Sequence, residues 1–220
     1  MRTLPLTLLL LGLTGCATFD KPKPPPRPAV VALPPTKADV WQGVASAADI
    51  DRLNRLPMAW TDGLKEARLR FAGAVRGEGD LLRPAAGLAR PAPSPGSYNC
   101  RLVRLGKTDA RSPAFVSFKP FFCYVDVEND LLTFVKQTGS ERPAGRLWDD
   151  DNPRRLVFLG TVALGSEPQN KPYGTDQRRD IAGVLERIGP MRFRLLMPWS
   201  RSGSKLDIYE LTPVAEQPAG

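Results

Sequence analysis

From residue 97 to about residue 213, short apolar blocks with a period near two alternate with clusters of Gly, Pro, Asn, Asp and Ser. That pattern predicts β-strands. They fall at 98–105, 114–127 (bent or broken at Pro120), 131–137, 144–148, 155–164, 181–188, 193–199 and 205–211. Glu128-Asn129-Asp130, Gly189-Pro190 and Ser202-Gly203 are short hairpin signals, so strands adjacent in sequence are antiparallel neighbours in space. About eight strands in some 115 residues is the content of a small up-and-down barrel or a strongly rolled sheet, which leaves few exposed edges. "LLTFVKQ" and "RRLVFLGTVAL" are apolar on both faces. One face fills the barrel; the other needs a cover.

The cover is encoded upstream, over residues 41–76. Ile50, Leu53, Leu56, Trp60, Leu64, Ala67 and Phe71 recur every three or four positions with charged residues between them, an amphipathic helical pattern. Pro57 predicts two helical segments or one kink, because it cannot sit inside a helix without cost. Residues 77–96 are rich in Gly and Pro and read as a surface connector; 214–220 reads as a disordered tail. The fold class expected is therefore α+β, mainly β, with N-terminal amphipathic helices packed on a small antiparallel β-barrel or rolled sheet of about eight strands.

The first residues carry a different message. MRTLPLTLLLLGLTGC has one Arg, an apolar run over 4–13 too short to span a bilayer, and small residues before Cys16. Leu13-Thr14-Gly15-Cys16 resembles the bacterial lipobox. The resemblance implies that 1–15 is a signal peptide and that Cys16 becomes the lipid-bearing N-terminus of an envelope protein. Ala17, where Asp would favour inner-membrane retention, implies the periplasmic face of the outer membrane. Residues 16–40 then form a Pro-rich tether, extended at about 3.1 Å per residue in its proline runs.

Two further cysteines, Cys100 and Cys123, lie on predicted strands. An even number in an oxidising compartment predicts a strand-to-strand disulfide, the alternative being two buried thiols. The net charge of +8 drops to +7 without Arg2. No basic run exceeds two residues and basic residues do not interleave with aromatics, so nucleic acid is not an expected partner. The excess suits an anionic lipid, a small anionic ligand or plain surface solubility.

The chain contains no His. That excludes Ser-His-Asp and Cys-His machinery and His-liganded zinc, and no phosphate-cradling loop, nucleophile elbow or dinucleotide fingerprint occurs, so no cofactor is expected. Asp149-Asp150-Asp151-Asn152-Pro153 reads as a turn and not a calcium loop, since Arg154 and Arg155 follow where a glycine and a later Glu would be needed. The densest polar stretch is "KQTGSERPAGRLW". Lys136, Arg142 and Arg146 are candidates to hold an anion there, with Glu141 orienting one arginine. "YGTDQRRD", carrying Tyr173 and Arg178, is a second loop able to close over the same barrel end. The plain alternative is two surface loops whose arginines pair with Asp149, Asp150, Asp151 or Asp176. Glu141 with Asp180 or Glu186 would be the available acid–base pair.

"GSYNCRLVRLG", "TGSERPAGRLW", "RRLVFLGTVALG", "RDIAGVLERIGP" and "WSRSGSKLDIYELTP", with "DIDRLNRLPMAW" before them, resemble a bacterial envelope family known only as domain of unknown function 4893, over about 41–213. The resemblance implies no activity and no site residues. Three roles remain open from the sequence: a noncatalytic binding module for a small anionic ligand or an envelope protein, an inhibitor of a protease or lysozyme-type enzyme, and a carboxylate-based envelope hydrolase.

Overall fold

A computed structural model describes residues 34–214; the expectations for the signal peptide, Cys16 and most of the tether and tail lie outside that range. Every helix, strand and hydrophobic cluster among the described residues belongs to one compact unit beginning at Pro35. Three helices come first: α1 (Lys37–Gln42), α2 (Ala47–Asn54) and α3 (Leu56–Gly77). α1 begins within the stretch read as tether, four residues before the expected helical segment at 41. Thr36 accepts from the Asp39 amide while the Asp39 carboxylate accepts from the Thr36 amide, a reciprocal cap that satisfies orphan amides at a six-residue helix's start. The break between α2 and α3 comes at Arg55, with Pro57 in the first turn of α3, where its missing N–H costs nothing.

Nine strands follow: β1 (Gly96–Leu105), β2 (Phe115–Ser117), β3 (Phe121–Glu128), β4 (Leu131–Lys136), β5 (Glu141–Asp149), β6 (Leu156–Leu164), β7 (Asp180–Gly189), β8 (Arg192–Pro198) and β9 (Leu206–Pro213). Each pairs antiparallel with the next around the sheet, and β9 returns to pair with β1 from Tyr98↔Pro213 to Leu105↔Leu206, closing an eight-stranded barrel. The short β2 is the extra strand. It lies ahead of β3 along the same edge of β1, and Pro120 stands in the gap between them.

Strand alternation sorts the core into two clusters. Tyr98, Phe134, Phe158, Phe193, Leu195 and Tyr209 point inward and fill the barrel, with Phe134 edge-on to Phe158 at 6.0 Å and to Tyr209 at 6.1 Å. The interior is packed side chain and not a hollow. Val103, Val157, Leu159, Val184, Leu196 and Ile208 point outward and meet Trp41, Leu53, Trp60 and Leu64 from the helices. The two-faced apolar strands are explained by this second layer. Cys100 on β1 and Cys123 on β3 are bonded, with Cα atoms 6.0 Å apart, inside the barrel.

The connector after α3 is more than a surface strap. Its two 3₁₀ turns, Gly79–Leu82 and Pro84–Ala86, bury Leu81, Leu82 and Ala86 against the barrel. They are pinned by Arg194 of β8, which is fully buried and donates to the carbonyls of Asp80, Leu81, Arg83 and Pro84 as well as to Glu186.

Candidate functional site

The barrel wall is incomplete at one end. β4 stops at Lys136 and β5 starts at Glu141, whereas β2 pairs only with β1. Between them opens a cleft of about 600 Å³, lined on its floor by Leu102, Arg104, Phe121, Lys136 and Glu141, with Ser202 of the β8–β9 loop at its side. Its volume is that of a small-molecule site. Phe118 and Lys119, in the gap between β2 and β3, lean over one edge, and the turn Thr138, Gly139 and Ser140 forms the other.

The floor is charged. Lys136 alternates inward with Phe134, its Nζ 4.5 Å from the centroid of the Phe121 ring, and donates 2.9 Å to the Glu141 carbonyl. Burial lowers its pKa below the usual lysine value, with the Glu141 charge opposing. Arg104 is held in a two-point pair with Asp207, Nε to Oδ1 and Nη2 to Oδ2 both at 2.8 Å. Ser204, completely buried, donates its hydroxyl to Asp207 Oδ1 at 2.8 Å, and Ser200 and Ser202 extend that hydroxyl chain to the rim. Tyr209 lies beneath, across the ladder from Leu102 and edge-on to Phe121. Burial first, then the Asp207 and Glu141 charges, push its phenol pKa up, so it stays a neutral hydroxyl. Arg104 is thus locked as scaffold, while Lys136 keeps two of its three protons free of any protein acceptor among the described residues. The site offers a cation, hydroxyls and a carboxylate for recognition.

The six predicted site residues do not converge. Lys136 and Glu141 reach the cleft. Arg142, one position on, faces outward: it donates to the carbonyls of Gly139, Gly165 and Glu167 and ties the β4–β5 turn to the β6–β7 loop. Glu141 therefore cannot orient it. Arg146, outward as well, stands 3.3 Å from Glu128 and not beside the Asp149–Asp151 run. Tyr173 donates its hydroxyl to Asp49 and accepts the Ser46 amide at 3.0 Å, fastening the β6–β7 loop to α2. Burial first and then that carboxylate raise its pKa to about 12. Arg178 is exposed beside Asp176. Asp180 and Glu186 lie on the outer face of β7, so neither pairs with the inward Glu141 as acid and base.

Arg104, Asp207, Tyr209 and Ser202 were missed. A signal was present, since "LVRLG" places Arg104 and "LDIYEL" places Asp207 between apolar strand residues, and opposite charges buried in facing strands pair. The Asp149–Asp151 run has another duty. Asp149 pairs with Lys37 at 3.0 Å, Asp150 accepts from Trp41 and Arg155, and Asp151 accepts the Ala38 amide at 3.4 Å, so the turn docks α1. Among the described residues no group of three or more Cys, Asp or Glu is placed to hold a metal ion.

No curated protein and no solved structure matches the chain. A match does come from a family whose only description is Domain of unknown function (DUF4893), over residues 41–211, which takes in α2, α3 and all but the last two residues of the barrel, the cleft included. The chain belongs to that family.

Proposed function

We propose that this protein is a noncatalytic binding module of the bacterial cell envelope, tethered through lipid on Cys16 at the periplasmic face of the outer membrane, that captures a small anionic ligand in the barrel-end cleft. The observation that carries the reading is Lys136: an ammonium held over Phe121, lowered in pKa by burial, and using one proton on a protein carbonyl. A partly desolvated cation with free donors at the floor of a cleft gains most from an anion, because Coulomb attraction strengthens as water is excluded. The Arg104–Asp207–Ser204 network below holds the floor rigid, so little conformational freedom is lost on binding.

A thermal-shift and calorimetric panel of small carboxylates and phosphates tests the proposal on the lipid-free chain from Thr18 onward. At least one anion should bind with a one-to-one stoichiometry, and Lys136→Met should weaken it at least tenfold. Affinity should fall as pH rises through the depressed Lys136 pKa, at lower pH than the roughly 10.4 of an ordinary lysine. An anion that binds the Lys136→Met protein as well as wild type would remove the cleft from the account.

A further inference from the structure

The outer wall carries a second and chemically different pocket. The helices cover the outward faces of β1, β6–β9 and the Trp148 end of β5 but leave β3, β4 and the start of β5 bare, so Phe122 and Tyr124 are 54% and 40% exposed. From Tyr124 an apolar strip runs across the ladders to Val135 and then Ala144. It leads into a groove of about 430 Å³ that also includes Leu159 and is roofed by Pro172, Tyr173 and Val44. The roof is not loose, because the Tyr173 hydroxyl is anchored to Asp49 and to the Ser46 amide.

Polar groups gather in this groove. Arg146 has only an exposed, 3.3 Å partner in Glu128, a pairing that competes weakly with a ligand. Lys171 has no carboxylate within ion-pair distance among the described residues. Trp148 lines the same groove, and its indole Nε1 is the one buried side-chain nitrogen or oxygen left without a hydrogen-bond partner among the described residues. A buried donor left unmade is costly, and an acceptor brought into the groove would relieve it.

We propose that this groove binds an anionic amphiphile: a single apolar chain laid along Tyr124, Val135 and Leu159, and a carboxylate or phosphate head held by Arg146 and Lys171, with the Trp148 indole donating to it. The site is separate from the barrel-end cleft, since Arg146 and Trp148 face outward and Lys136 faces in.

Dodecanoate, kept below its micelle concentration, is the probe. Titrated into the lipid-free chain from Thr18 onward, it should move one of the four tryptophan indole N–H resonances downfield and saturably. That resonance should be the one missing from Trp148→Phe. Arg146→Gln with Lys171→Gln changes polar groups at the groove and should weaken the effect at least tenfold, the other three indole signals reporting that the variant is folded. Lys136→Met should leave it unchanged, which separates this proposal from the fate of the cleft. No saturable movement of the Trp148 signal, an equal response to neutral dodecyl maltoside, or undiminished binding by the double variant would each overturn it.

Discussion

The indole N–H of Trp41 donates to Asp150 Oδ1 at 3.0 Å, joining α1 to the β5–β6 turn across 109 positions of chain. Asp150 Oδ2 accepts from Arg155 Nε at 2.5 Å, so one buried carboxylate closes both the helix dock and its own turn. Burial pushes the Asp150 pKa up, but the Arg155 and Trp41 hydrogen bonds outweigh it and the net shift is downward.

A carboxylate whose folded pKa is depressed contributes stability that is present above its unfolded value near 3.9 and is lost as pH falls through the folded pKa. Trp41→Phe keeps most of the ring's burial and removes the bond. We expect urea unfolding at pH 7 to show a loss of about 1–3 kcal/mol, and the loss to shrink as pH is lowered through that window. A loss of the same size at every pH would place the effect in packing.

Arg194 makes the connector a structural element. Its Nη2 lies 2.6 Å from Glu186 Oε2 and its guanidinium stacks 5.0 Å from the Trp60 ring centroid, while four connector carbonyls accept its remaining protons. Arg194→Met should cost about 3–5 kcal/mol, because Glu186 is left without its cation and the carbonyls without donors. Arg194→Lys should recover only part, since one ammonium cannot serve the fork. Limited proteolysis should find new cleavage within 79–90 in both variants.

Gly145 and Gly160 face each other across β5 and β6, and their backbones approach so closely that a Cβ on Gly145 would lie 2.3 Å from the Leu159 carbonyl oxygen. Neither strand can yield without opening the barrel. Gly145→Ala should therefore destabilise by about 3 kcal/mol or more. Gly73→Ala, in α3 with nothing within 4 Å of the added carbon, should stabilise by about 0.8–1 kcal/mol, and thermal unfolding of the two variants side by side gives the comparison.

Much of this fold is written plainly in the chain. Alternation and turn residues place every long strand within a few positions, because hairpins are local and their signals are local too. The break at Pro120 and the restart near Pro57 follow from the ring alone. α1 escaped the hydrophobic pattern because its six residues bury only Trp41; its readable sign was Thr36 three positions before Asp39. The candidate site was half legible. Glu141 and Arg142 are consecutive in β5 and must face opposite sides, so the pair could never share one ligand. What no local pattern supplied is that Arg104 and Asp207, 103 positions apart, meet inside the barrel, since that depends on β9 closing onto β1.

Whether the cleft above Lys136 holds a ligand is read by native mass spectrometry of the chain from Thr18 onward, isolated from a bacterial periplasm at low salt. Wild type should carry the stoichiometric added mass of a small anionic molecule, and Lys136→Met should lack it. A bare protein mass for wild type, persisting after incubation with envelope extract, would contradict ligand binding in the cleft.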